Sequence, residues 1–132
     1  MKRISRIIYL ILAIIFALSI VAQIFLAGMA TFVSPMHWLK HVTFVHLFGF
    51  NIPVVMLVFA YLGRLPRWAY WQLFAVLVSV FLMYFTANIT ATLPWASAMH
   101  PLIGVVLFVL AYVIIKKMWV FIFTKTSQKE VE

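Results

Sequence analysis

IIYLILAIIFALSIVAQIFLAGMAT, residues 7–31, runs for 25 residues without a charge, and Gln23 is its one amide. A helix rises about 1.5 Å per residue, so about 20 residues cross the roughly 30 Å of bilayer hydrocarbon. This run is therefore long enough to span a membrane. MKRISR before it gives the look of a secretory signal. A signal's apolar core is only about 7 to 15 residues long and ends at a small-residue cleavage site, so the run is expected to be a retained first helix.

The rest of the chain repeats the pattern. Of its 132 residues 67% are hydrophobic and 9% charged, with a mean hydropathy of +1.18, whereas about a quarter of residues are charged in soluble domains. Further apolar segments run over about 41–62, 68–89 and 97–120. They lack the alternation of barrel strands, and an open sheet cannot satisfy its backbone in lipid. The connections are short, which favours antiparallel neighbours. The expected fold is an all-α membrane protein whose four transmembrane helices form an up-down-up-down antiparallel bundle over residues 1–123. A polar, disordered cytoplasmic tail is expected over 124–132.

The net charge of +8 concerns topology. Lys2, Arg3, Arg6, Arg64, Arg67, Lys116, Lys117, Lys125 and Lys129 flank one side of the segments, and Lys40 alone the other. By the positive-inside rule both termini are cytoplasmic, in a bacterial cytoplasmic (inner) membrane protein. No basic face suited to a phosphate backbone is present, so nucleic acid is excluded as a partner. The absence of cysteine excludes disulfides, thiol redox chemistry and thioether-linked haem. The only acidic residues are Glu130 and Glu132. Carboxylate acid–base pairs and Ser-His-Asp triads are therefore missing, and hydrolysis is not expected. Trp38, Trp68, Trp71, Trp95 and Trp119 lie near segment ends and read as interfacial belts.

Polar side chains inside the apolar segments gather at one level: Gln23, His41, His46, Asn88 and His100, each toward the expected outer end of its helix. Such residues usually face a bundle's interior and mark a function. His41 and His46 point apart, by about 140° at about 100° per residue. His46 shares a stripe with Gly49, and His100 with Gly104. Two imidazoles at one depth, each beside a glycine that leaves space, are what a haem b requires. His46 and His100 are the expected axial ligands, Gly49 and Gly104 the space for the ring edge, and Gln23 and Asn88 the groups that hold an imidazole N–H or a propionate. Three bland readings stand beside this. His37 and His41 can be interfacial residues, His100 before Pro101 a helix start, and Gln23 and Asn88 interhelical hydrogen bonds. A cofactor-free membrane subunit or scaffold, fastened by a structural polar cluster, is thus the alternative. A further alternative is a copper or zinc site from His37, His41 and His100 with Met36 or Met99.

QIFLAG ending the first segment, HLFG in the second and MHPLIG opening the fourth resemble a family of small, uncharacterised four-helix bacterial membrane proteins. More distantly the chain resembles four-helix membrane b-type cytochromes. That second resemblance implies axial ligation by His46 and His100, with quinol or another membrane redox partner as electron donor. A membrane oxidoreductase, alone or within an oligomer or larger complex, is one expectation for such a haem protein. The first segment has no histidine and none lies in the inner half of the chain's segments, so a second haem is not expected.

Overall fold

The computed structural model describes residues 1–127, with side chains to 124. It contains six helices among those residues: α1 (Lys2–Phe32), α2 (His37–Phe48), α3 (Asn51–Leu62), α4 (Arg67–Asn88), α5 (Pro94–Ser97) and α6 (His100–Ser127). These make four spans long and apolar enough to cross a membrane, with α2 and α3 forming the second and α5 with most of α6 the fourth. Only 22 to 33% of each span's most apolar stretch is buried. Ile15, Leu18, Phe25, Phe74, Phe81 and Val109 point outward, and lipid is the solvent in which so large an apolar surface is stable.

α1 packs along α6 and against α2 and α3, while α4 packs against α6 and α3. Phe16, Met56, Leu73, Val76, Ile114 and Met118 fill the centre. Hydrophobic transfer does not drive helices together inside lipid, so close approach and dispersion must. The buried Ala13, Ala17, Ala60, Ala69 and Ala111 permit that approach. Hydrogen bonds tie α1 to the second span at both ends: the Arg6 Nε–H donates to the Gly63 carbonyl at 2.9 Å, and the Gln23 amide to the His41 carbonyl at 2.8 Å.

Where one helix is expected over 41–62, the second span begins at His37 and breaks at Gly49–Phe50. Pro53 is the cause. It lacks the N–H that would bond the Gly49 carbonyl, and its ring crowds that carbonyl. The Asn51 amide then donates to the His46 and Leu47 carbonyls, at 3.2 and 3.0 Å, satisfying acceptors that lipid cannot. Asn51→Leu is expected to destabilise the protein by about 1 kcal/mol, read as an earlier thermal midpoint in detergent.

At the other end of the chain α6 continues to Ser127, so residues 124–127 extend the helix where a tail was expected. The remainder of that tail, 128–132, lies outside the described residues. In the core the Tyr9 hydroxyl is fully buried without a hydrogen-bond partner. An unsatisfied buried hydroxyl costs about 1 to 3 kcal/mol. Tyr9→Phe should therefore leave the thermal midpoint unchanged or raise it, and a lowered midpoint would show a partner for that phenol.

Candidate functional site: two imidazoles at one end of the bundle

The connection between α1 and α2 places the first imidazole. Val33 and Ser34 N–H both donate to the Met29 carbonyl and close α1, and the turn through Pro35 starts α2 at His37. Gln23 and His41 therefore stand at equal distances along the chain from Phe32, and meet. Gln23 is buried, and its side-chain N–H donates to the His41 carbonyl. In return His41 Nδ1 lies 3.1 Å from the Gln23 backbone carbonyl. A carbonyl only accepts, so Nδ1 carries the proton. In neutral His41 this leaves Nε2 with a lone pair, and Nε2 makes no hydrogen bond among the described residues.

The second imidazole is placed from α4. The Ser97 hydroxyl of α5 donates to the Thr86 carbonyl at 2.8 Å, which holds the α5–α6 corner over the end of α4. His100 opens α6, with Pro101 in the first turn where a missing N–H costs nothing. His100 Nδ1 lies 3.0 Å from the Met83 carbonyl and 3.1 Å from Thr86 Oγ1. The Thr86 proton is directed to the Leu82 carbonyl at 2.8 Å, so Thr86 accepts and His100 Nδ1 donates. His100, like His41, is thus fixed in the tautomer that exposes the Nε2 lone pair. Both rings are half-buried.

His46 stands apart from this pair. It is exposed, its ring stacks on Tyr84 with centroids 5.4 Å apart, and its Nδ1 lies 3.1 Å from the Tyr84 hydroxyl. Tyr84 is about 160° around α4 from Thr86 and about 100° from Met83. The two rings thus approach α4 at different angles, and among the described residues no hydrogen bond or ring contact joins His46 to His100. The space expected at Gly49 is taken up, since a Cβ there would lie 2.8 Å from the Val45 carbonyl and 3.4 Å from the Tyr84 hydroxyl, whereas a Cβ on Gly104 would find the Met83 methyl at an ordinary contact distance of 3.7 Å. Asn88 is exposed and donates to the Tyr84 carbonyl within its own helix at 2.8 Å. It serves no imidazole.

His37 is half-buried near the start of α2, and its Nδ1 is buried without a partner, as is Gln23 Oε1. Among the described residues no group of three or more His, Cys, Asp or Glu is placed to hold a metal ion. The three-histidine zinc or copper arrangement is therefore not formed. What remains is a two-imidazole arrangement from separate spans, with an orphaned amide oxygen beside it. Thr86, which sequence reasoning missed, orients His100, and its signal was its place at the same level as His100 in the neighbouring segment.

A polar, histidine-bearing end on four apolar helical spans defines a multi-pass membrane protein. The family model for a family of unknown function, DUF6220, matches residues 23–91, just over half of the chain, and the chain belongs to that family. The matched segment holds Gln23, His41, His46 and Thr86, whereas His100 lies beyond it. No curated protein matches. No solved structure matches either.

Proposed function

We propose that the protein is an integral membrane b-type haem protein whose axial ligands are His41 and His100. The observation that carries this reading is the shared state of the two rings: each donates Nδ1–H to a backbone carbonyl of a neighbouring helix and leaves Nε2 free. That outer partner sets ring orientation and raises ligand basicity in ligating histidines generally. The donor set fits haem better than a hydrated divalent ion, since two imidazoles without carboxylate or thiolate suit an iron already held by four ring nitrogens. The orphaned Gln23 Oε1 would accept a hydrogen bond from a protonated propionate. Bound haem supplies single-electron transfer.

The finer topology belongs to the same proposal. An up-down-up-down path with both termini cytoplasmic, in a bacterial inner membrane, follows from nine basic residues on one side and Lys40 on the other. It sets His41 and His100 near the outer face. The electron donor is then a membrane-soluble quinol and the acceptor lies outside. The exposed stack of Phe50, Tyr84 and His46, with centroids 5.4 Å apart at each step, offers a quinol ring an aromatic surface at the lipid boundary.

Protein produced with ample haem and purified in detergent should show a Soret band that shifts on dithionite addition, with a sharpened α band. A colourless protein under those conditions refutes the proposal. The reciprocal Gln23–His41 bonds favour one other reading, a cofactor-free subunit in which histidines fasten helices. That reading predicts a colourless protein weakened by His41→Ala.

A further inference from the structure

We propose that the end of the bundle opposite His41 and His100 holds a site for the phosphodiester headgroup of an anionic phospholipid, centred on Arg64. A pocket of about 490 Å³ opens there, lined by Tyr61, Leu62, Arg64, Leu65 and Tyr70. The Arg64 guanidinium and the Tyr61 and Tyr70 hydroxyls make no hydrogen bond within the described residues. They are donors on residues that line one space, and a phosphodiester, which only accepts, complements them.

The backbone gives an independent reason to look here. α3 ends in a Schellman turn, with Arg64 N–H donating to the Tyr61 carbonyl and Leu65 N–H to the Ala60 carbonyl, each at 3.0 Å. This turn places the residue after the cap in the left-handed region, where glycine is the usual occupant. Here that residue is Arg64, with φ of 48°, the one non-glycine positive φ among the described residues. Glycine sits one position earlier. Gly63 is required there by close approach, since a Cβ would lie 3.2 Å from Arg6 Cγ. An arginine kept in a conformation that disfavours a side chain points to a use for its guanidinium.

The electrostatic surroundings specify the sign of the ligand. Arg3, Arg6, Arg67, Lys116 and Lys117 flank the same end, and the only carboxylates in the sequence are Glu130 and Glu132. The Arg6 and Lys117 charges rest on the Phe121 and Trp68 rings, which orients them without neutralising them. Basic pockets between membrane helices on the cytoplasmic side hold anionic headgroups in this manner. Of the apolar walls, Leu65 belongs to the buried core, while the exposed Leu62 continues onto the lipid-facing surface.

The full chain in a neutral detergent tests this. Its thermal midpoint should rise on titration with short-chain phosphatidylglycerol and respond several-fold less to phosphatidylcholine of the same chain length. Inorganic phosphate should have little effect at equal concentration; an equal effect would make the ligand free phosphate and overturn the lipid assignment. Arg64→Gly separates binding from folding, because it relieves the backbone while deleting the guanidinium. It should start at an equal or higher midpoint and lose most of the phosphatidylglycerol response. An unchanged response in Arg64→Gly, or equal responses to the two lipids in the parent protein, would overturn the proposal. Neither outcome depends on whether haem is bound.

Discussion

His41→Ala and His100→Ala are each expected to abolish the low-spin haem spectrum, while His46→Ala leaves it in place. The two imidazoles come from separate spans, so each is indispensable to a bis-histidine site. Stability should respond far less than pigment. An interhelical hydrogen bond in a membrane contributes about 0.6 kcal/mol, and seldom more than about 1.7. His41→Ala removes one such bond, from Nδ1 to the Gln23 carbonyl, and keeps the bond from the Gln23 amide to the His41 carbonyl. The variant should thus assemble with a small loss of thermal midpoint and no Soret band. Thr86→Val is the graded case, because His100 retains the Met83 carbonyl. Loss of an outer partner typically weakens metal binding by about 10- to 100-fold, and the lower end of that range is expected by haem titration. If His46→Ala bleaches the protein and His41→Ala does not, the ligand assignment is wrong.

The largest effect on stability is expected at Gly63. A Cβ at that position would lie 2.9 Å from the Phe59 carbonyl, 3.2 Å from Arg6 Cγ and 3.5 Å from the Arg6 backbone N. Two of those three atoms are backbone and cannot rotate away. Gly63→Val must therefore distort the end of α3 and displace the Arg6 side chain, breaking the Arg6–Gly63 hydrogen bond, at a cost of about 1 to 3 kcal/mol for overpacking. The matching control is Gly28, in the interior of α1 with nothing within 4 Å of an added Cβ. Gly28→Ala should stabilise by roughly 0.5 to 1 kcal/mol, since alanine restricts the unfolded chain and favours helix. Thermal midpoints in one detergent should fall in the order Gly28→Ala, parent, Gly63→Val. A Gly63→Val variant as stable as the parent would show that the close approach of α1 and α3 is not fixed.

The four spans were legible because hydropathy over about 20 residues is a strong signal that tertiary context seldom overrides. Which histidines are buried was not. In a soluble bundle the inward face of a helix announces itself by being apolar, whereas a span is apolar on both its lipid-facing and buried sides. Position along the segment then stood in for burial, and His46, deeper in the segment than His41, proved to be exposed. Angles around α2 separated His41 from His46, yet gave no hint that the turn at Pro35 would set His41 against Gln23. Pro53 carried the signal for the break at Gly49 four residues earlier, and the glycine was read as open space instead. Tyr84 fills that space. Gln23 and His100, each a lone polar group at the end of an apolar run, both bond across to a neighbouring helix.

Low-temperature electron paramagnetic resonance of the air-oxidised, haem-supplied protein addresses the pairing of His41 and His100 most directly, because it reports the axial ligands of ferric haem. A low-spin ferric signal is predicted for the parent and for His46→Ala, replaced by a high-spin signal or by none in His41→Ala and in His100→Ala. A parent protein without a ferric haem signal, or a low-spin signal that survives loss of either His41 or His100, would contradict the account.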